Sequence, residues 1–121
     1  WESKIEKLAN STIKENVTSI SGVPTWTLVL FKRILEITGK KTMSEVWPGL
    51  ELYMHGGVSF TPYKEQFQKL IGKKINYIEM YNASEGFFAA QENPGDDGML
   101  LFTDHGIFME FMPVRENTLK Q

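Results

Sequence analysis

The sequence contains no cysteine, and this absence excludes disulfide bonds, thiolate nucleophiles and cysteine-ligated zinc sites. No apolar run approaches the ~20 residues that cross a bilayer, and the run at 28–31 falls far short of that length. Basic residues are not in excess, because 13 lysines and arginines stand against 15 aspartates and glutamates. A general nucleic-acid binder needs a basic surface for phosphate. We therefore expect a cytoplasmic protein that binds neither nucleic acid nor a membrane.

The chain of 121 residues has the commonest size of a single domain, and 41% of its residues are hydrophobic. That composition argues against intrinsic disorder. Residues 1–4 contain neither an initiator methionine nor a signal-peptide pattern. From these features we expect residues 1–121 to be a single partial domain cut from a longer protein.

Three helices are predicted in the first half of the chain. Capping boxes at 3–6 and 42–45 indicate helix starts. The first is followed by apolar residues on one helical face and predicts a helix over about 4–17. The second opens only a short helix, because a Trp-Pro-Gly run follows it. Between them, Pro24 starts a helix that stops at Gly39; more than half of its circumference is apolar, so we expect burial on several sides.

A change of hydrophobic period marks the first predicted strand. From Leu50 the period is two, with Leu52 and Met54 on the same side, which indicates a strand of about five residues. A helix then begins at Thr61-Pro62 and ends at Gly72, and a second strand covers 75–81. A strand, a helix and a strand in ~30 residues form a βαβ unit, whose strands are expected to be parallel.

The remainder of the chain is predicted to form hairpins. Strand patterns cover 86–91, 99–103 and 107–112, and they are separated by turn signals at 93–98 and 104–106. The predicted fold is therefore mixed α/β, with a βαβ unit of parallel strands followed by antiparallel hairpins.

Two loops follow the predicted parallel strands and are expected at the same sheet edge, where ligands of such sheets bind. The first loop, 55–59, contains Gly56 and Gly57, which let the backbone approach a flat ligand closely. The second, 82–85, follows Tyr81 and contains Ser84 and Glu85. An aromatic ring, a hydroxyl and a carboxylate in five residues suit a nucleotide with its Mg²⁺.

Each of these residues also has a purely structural interpretation. The glycine pair is typical of a tight turn, and Tyr81 is typical of a half-buried strand position. Ser84 can cap a turn, and Glu85 can be a solvated loop charge. The two histidines, His55 and His105, are weaker candidates, since they lack the i, i+4 spacing of a helical zinc pair.

The order Tyr-x-x-Ser-Glu at 81–85 resembles the signature of the auxin-responsive promoter family of acyl acid-amido synthetases, which has many bacterial members. The resemblance extends over 50–113, including a Phe-Met-Glu-Phe-Met-Pro strand at 108–113, and over the Ser-Gly-Val-Pro-Thr-Trp segment at 21–26. It implies a slice of the large N-terminal domain of a firefly-luciferase-like adenylating enzyme. Such an enzyme uses ATP and Mg²⁺ to join a carboxylic acid to an amino acid.

The resemblance also assigns roles to individual residues. Tyr81 would pack against the nucleotide, and Ser84 would hydrogen-bond near the phosphate or acyl group. Glu85 would hold Mg²⁺. Gly56, Gly57 and Val58 would offer their backbone to the adenine.

The sequence departs from the family pattern in ways that bear on activity. It has no Ser/Thr-Gly-rich phosphate loop, no later ribose-binding segment and no lysine-bearing cap, and Ala83 stands where plant members often have serine. We therefore expect the chain to be inactive by itself. Two alternatives remain: a related ligase that passes the acyl group to a thiol such as coenzyme A, and a non-catalytic α/β module that binds a nucleotide or a partner protein. The apolar helix at 24–38 would leave an exposed patch through which the chain could self-associate.

Overall fold

A computed structural model describes residues 2–113. The helices, strands and one 3-10 turn follow one another as α1 (Glu2–Thr12), β1 (Ser19–Ser21), α2 (Pro24–Thr38), α3 (Met43–Val46), β2 (Leu52–Gly56), a 3-10 turn (Thr61–Tyr63), α4 (Lys64–Ile71), β3 (Asn76–Ala83), β4 (Gly86–Ala90) and β5 (Leu100–Leu101).

The strands form one five-stranded sheet in the order β1-β2-β3-β4-β5. β1 and β2 are parallel, as are β2 and β3, whereas β3–β4 and β4–β5 are antiparallel. In the central pair, His55 lies opposite Glu79 and Gly56 lies opposite Met80. The predicted mixed α/β fold, with a parallel βαβ unit followed by antiparallel strands, is confirmed.

Several helix boundaries predicted from local signals are confirmed, but the capping box at 3–6 does not mark the start of α1, because the helix already includes Glu2 and Ser3. α2 begins at Pro24 and is capped by Gly39 in the left-handed conformation, with φ 66°. α3 has the capping box predicted at Thr42 and Glu45. α4 ends at Gly72, where φ is 77°. Left-handed backbone is sterically open to glycine, so these two residues end their helices at defined points.

The first helix ends at Thr12, so the prediction of a helix to residue 17 was wrong. The Thr12 carbonyl accepts the indole N–H of Trp47 at 3.0 Å and the N–H of Glu15 at 3.0 Å. A continued helix would need that carbonyl for the N–H of Asn16. Val17 still packs against the core, but from a loop rather than from the helix.

Three other differences concern the strands. β1 was not predicted, because three residues with one apolar side chain, Ile20, are too few to show a period, and the strand is held by backbone pairing with β2. β5 covers only two residues of the predicted 99–103. The predicted strand at 107–112 is wrong, since these residues are irregular. A strand requires a neighbouring strand for its backbone, and Phe108 and Met112 are instead each 87% exposed.

The core lies between one face of the sheet and the helices. Aromatic rings dominate it: Tyr53 stacks on Phe67 at 4.6 Å, and Phe31 meets Phe67 edge-on at 5.7 Å. The covered face of β2 is therefore the one with Tyr53 and His55, while Leu52 and Met54 are only half-buried.

Burial of α2 is confined to one side. Phe31 and Ile34 are fully buried, but Val29 is 42% exposed and Ile37 is 37% exposed, so α2 leaves the exposed apolar patch that was expected for this chain. Across residues 2–113, no helix combines the length and the hydropathy needed to cross a membrane.

Candidate functional site

The carboxyl ends of the three parallel strands meet at one edge of the sheet. A cleft of about 210 Å³ opens there, which we call the edge cleft. Its walls come from the end of β1, the ends of β2 and β3, and the turn before α2. The lining residues are Ser21, Gly22, Val23, Gly56, Gly57, Met80 and Asn82.

Gly56 fits this edge because it has no side chain. A Cβ atom at Gly56 would collide with the carbonyl oxygen of Met80 and would lie 3.2 Å from Oδ1 of Asn82. Gly57 has a φ of 81°, and a Cβ there would lie 3.7 Å from Val23. Gly56 therefore permits close β2–β3 packing, whereas Gly57 turns the chain out of the sheet beside the cleft.

A buried tyrosine fixes the opposite wall of the edge cleft. The Tyr53 hydroxyl donates to the Gly22 carbonyl at 2.8 Å and lies 3.3 Å from Oγ1 of Thr27. Burial raises the pKa of Tyr53 to about 12, and the Thr27 contact opposes this in part. The hydroxyl is therefore a stable hydrogen-bond donor to the turn over the physiological pH range.

The Tyr-x-x-Ser-Glu segment is placed differently from the loop predicted at 82–85. Residues 81–83 belong to β3, and Ser84 and Glu85 alone connect it to β4. The pairing with β4 shifts register between Tyr81 and Asn82. Because side chains alternate along a strand, Met80 and Asn82 both line the edge cleft, whereas Tyr81 between them leans on Phe88, with ring centroids 5.3 Å apart.

The structure thus brings together only some of the predicted site residues. Gly56 and Gly57 line the edge cleft, but Val58, Tyr81, Ser84 and Glu85 are exposed and do not line it. The contacts of these four residues with a nucleotide therefore stay predictions. The two predicted loops were expected to line one crevice, and Gly56, Gly57 and Asn82 do line the edge cleft together. Ser84 and Glu85 do not reach this cleft, because they occupy the tip of a tight hairpin. Sequence reasoning missed the wall at 21–23, since the β1 strand that places it was not predicted.

A larger cleft of about 530 Å³ lies on the helical face of the sheet, and we call it the face cleft. One wall is the segment from Ser59 into the first turn of α4, the floor is β3, and the other wall is the loop after β4. Charged side chains of both signs line it: Lys64, Lys74, Glu79, Asp96 and Asp97.

His55 lies at the floor of the face cleft and is 4% exposed. Burial lowers the pKa of His55, and the nearby Glu79 opposes this in part. Its Nδ1 atom is shut off from solvent and has no hydrogen-bond partner within residues 2–113; the same holds for the hydroxyl of Tyr77. Burial also raises the pKa of Tyr77. Both groups are therefore neutral near pH 7 and unpaired.

Glu85 is the only carboxylate among the predicted site residues, and it is the residue expected to hold a metal ion. Among the described residues, no group of three or more His, Asp or Glu side chains is arranged to hold one. Glu85 stands alone at the hairpin tip. Mg²⁺ at nucleotide sites commonly takes one or two carboxylates with phosphate oxygens and waters, so a single carboxylate is compatible with a nucleotide-borne Mg²⁺.

Comparison with known families bears directly on identity. Residues 1–75 match the GH3 family N-terminal domain. The chain belongs to the GH3 family. This is the auxin-responsive promoter family of acyl acid amido synthetases, so the resemblance seen at 81–85 is confirmed by a match to a different part of the chain. No curated protein matched the chain. The GH3 match includes Gly56, Gly57 and the wall at 21–23, but ends before Tyr81.

Proposed function

We propose that this GH3 chain forms part of the N-terminal adenylating domain of an ATP-dependent acyl acid-amido synthetase, built like the luciferase-type adenylating enzymes. Family membership supports the general class, and the edge cleft supports the location of the chemistry. Ligands of open parallel sheets bind outside the carboxyl ends of the strands. Three parallel strands end at this cleft, and glycines leave its rim open.

The nucleotide is proposed to lie across the ends of β2 and β3. Gly57 and Val58 would present backbone groups to the adenine, since Gly57 turns the chain outward there. Tyr81 is 56% exposed and offers a ring face for stacking. Gly56 would act indirectly, by letting β3 come close enough for both elements to reach one ligand.

The phosphate side of the nucleotide is assigned to the hairpin tip. Ser84 has a hydroxyl that can donate to a phosphate or acyl oxygen, and Glu85 has a carboxylate that can hold Mg²⁺. The bound Mg²⁺ would neutralise part of the negative charge of the phosphate groups. Both side chains are exposed and therefore free to take these positions without disturbing the core.

The proposed reaction has two steps. A carboxylate oxygen of the acid attacks the α-phosphorus of ATP, and pyrophosphate leaves. The amine of an amino acid then attacks the acyl carbon, AMP leaves with the carboxylate oxygen, and the amine loses a proton. Alignment of the reacting groups is the main task of the protein, because it converts a bimolecular encounter into a positioned one.

The experiment described in the next paragraph also distinguishes two alternative functions. Transfer to a thiol such as coenzyme A would give a thioester instead of an amide. A non-catalytic module would bind a nucleotide or a partner without turnover. Membership of the GH3 family favours the amide.

The test starts from the native polypeptide that contains this segment, detected and purified from source cells with an antibody against residues 1–121. We expect ATP–pyrophosphate exchange that depends on a carboxylic acid, followed by an amide when amino acids are added, detected by mass spectrometry. The 121-residue chain by itself is expected to release no pyrophosphate. Exchange without any amide, or no exchange with a broad panel of acids, would contradict the proposal.

A further inference from the structure

A groove lined by lysines runs between α4 and the segment that leads into β3. Its volume is about 590 Å³, and we call it the lysine groove. The cations that line it are Lys64, Lys69, Lys73 and Lys74, and no carboxylate of the described residues lines it with them. The whole chain has a net charge of -2, so this groove concentrates positive charge against the overall balance.

Helix dipoles explain only part of this lysine cluster. Cations are favoured near the C-terminal end of a helix, and Lys69 is in the last turn of α4. Lys64 is instead the first residue of α4, where the dipole is unfavourable for a cation. Lys73 and Lys74 follow the end of the helix and repel each other, because they are neighbours of like charge. An anion in the groove would relieve both unfavourable arrangements.

The lysines of the groove are not paired with carboxylates of their own chain. Within residues 2–113 the ion pairs are those of Arg33 in α2. Lys64 also lines the face cleft, across from Asp97, but no ion pair joins these two side chains. The ammonium group of Lys73 donates to the carbonyl of Pro48, which fixes the side chain on a neutral acceptor. Its positive charge therefore stays available to an anionic partner.

The spacing of the lysines indicates the shape of that partner. α4 has eight residues and is ~12 Å long, so Lys64 at its start and Lys73 beyond its end are separated by about this length. One carboxylate or phosphate group cannot bridge them, whereas four residues of extended peptide can. Between the lysines, Ile75 and Tyr77 form a largely buried floor on which an apolar side chain can pack.

We propose that the lysine groove docks an acidic peptide segment of a partner protein. The segment lies extended along α4, with carboxylates against Lys64 at one end and against Lys73 and Lys74 at the other. Complementary charges of this kind steer association and fix the register of the partner. A nucleic acid fits less well, because no arginine of the described residues lines the groove to grip phosphate and Tyr77 is not exposed for base stacking.

The docked segment would leave the edge cleft open. The lysine groove is at the start of β3, whereas the edge cleft is at the carboxyl ends of the strands. From Ile75 to Met80 the strand rises by ~16 Å. Docking therefore does not depend on the proposed function, and the two are tested separately.

Binding is measured on the native polypeptide by fluorescence anisotropy of a labelled peptide, Gly-Glu-Asp-Leu-Glu-Glu-Gly. The control peptide has Gln and Asn in place of Glu and Asp. In ~50 mM NaCl we expect saturable binding of the acidic peptide and at least tenfold weaker binding of the control. Raising NaCl to ~300 mM should weaken binding severalfold, since salt screens exposed charges.

The double variant Lys64→Gln/Lys74→Gln should weaken binding of the acidic peptide by about tenfold. Both side chains are exposed, so the fold should be unaffected. The matched control is Lys4→Gln/Lys7→Gln, which removes the same charge from α1, outside the groove. This control variant should bind the peptide as well as the unmodified protein.

The proposal is overturned if the acidic peptide shows no saturable binding at ~1 mM, or if the α1 control loses as much affinity as the groove variant. A single-stranded DNA of equal charge is a further probe. If it binds more tightly than the peptide, and the groove variant loses this binding, the assignment to a peptide is wrong. ATP–pyrophosphate exchange is not a readout here, so failure of docking leaves the proposed function standing, and absence of exchange leaves docking standing.

Discussion

The imidazole of His55 lies stacked on the ring of Phe60, with centroids 4.2 Å apart and planes inclined by 23°. This contact joins the centre of β2 to the segment that leads into α4. A charged imidazole would be poorly solvated there, because the side chain is almost fully buried. The stability of the folded chain and the packing of His55 on Phe60 at the face cleft therefore both depend on an uncharged His55.

Stability is expected to fall as the pH decreases below about 6.5. Burial lowers the pKa of His55 in the folded chain, so the unfolded chain binds a proton first. The stabilisation is fully present above the unfolded pKa and is lost as the pH falls through the interval down to the folded pKa. Urea unfolding at pH 7.5 and pH 5.5 measures the difference, and His55→Phe should reduce it.

The matched control for this prediction is His105→Gln, since His105 lies in an exposed turn. Glu6 and Glu45 have pKa values below their ordinary range, so their effects on stability appear at lower pH. An unchanged pH dependence in His55→Phe, or its loss in His105→Gln, would contradict the assignment to His55.

Gly56→Ala should destabilise the fold by about 2 kcal/mol or more, because the added Cβ would collide with the Met80 carbonyl in the central strand pair. The free energy of urea unfolding measures this. Gly98→Ala is the control: no atom lies within 4 Å of its Cβ position, and its φ is not positive. Similar losses in both variants would show that β2 and β3 are not packed this closely.

Tyr53→Phe should cost about 1–2 kcal/mol, because it leaves the Gly22 carbonyl without its hydrogen-bond donor. The loss should be concentrated at the edge cleft, and faster hydrogen exchange of the Gly22 N–H, which bonds to Met54, would report it. Tyr63→Phe serves as the control, since the hydroxyl of the half-buried Tyr63 forms no hydrogen bond within residues 2–113. Equal exchange rates in Tyr53→Phe and the unmodified chain would contradict this role.

Features set by local chemistry could be predicted from the sequence. Proline and glycine define the ends of α2, and the capping box at Thr42 defines the start of α3. The parallel pairing of β2 and β3 follows from the short helix between them. In each case the deciding residues are neighbours along the chain.

Features set by distant contacts could not be predicted in this way. The end of α1 depends on Trp47, which is far along the chain, and β1 depends on pairing with β2. The candidate site shows the same division. The glycines at 56–57 were readable as a loop signal, but the wall at 21–23 and the charge arrangement of the face cleft arise only when β1, α4 and the loop after β4 come together.

Glu85→Gln should lower acid-dependent ATP–pyrophosphate exchange of the native polypeptide by about 100-fold, because it would remove the carboxylate that we propose holds Mg²⁺ and would thereby weaken stabilisation of phosphate charge. The substitution keeps the shape of the side chain, and Glu85 is exposed at a hairpin turn, so stability should change by less than about 0.5 kcal/mol.

Glu92→Gln, just after the next strand and also exposed, is the control and should retain full exchange. The defect of Glu85→Gln should be partly relieved by raising Mg²⁺, since weaker binding is compensated by mass action. A Glu85→Gln protein with normal exchange at low Mg²⁺ would rule out this residue as the metal-holding group, and the hairpin tip would then have only a structural role.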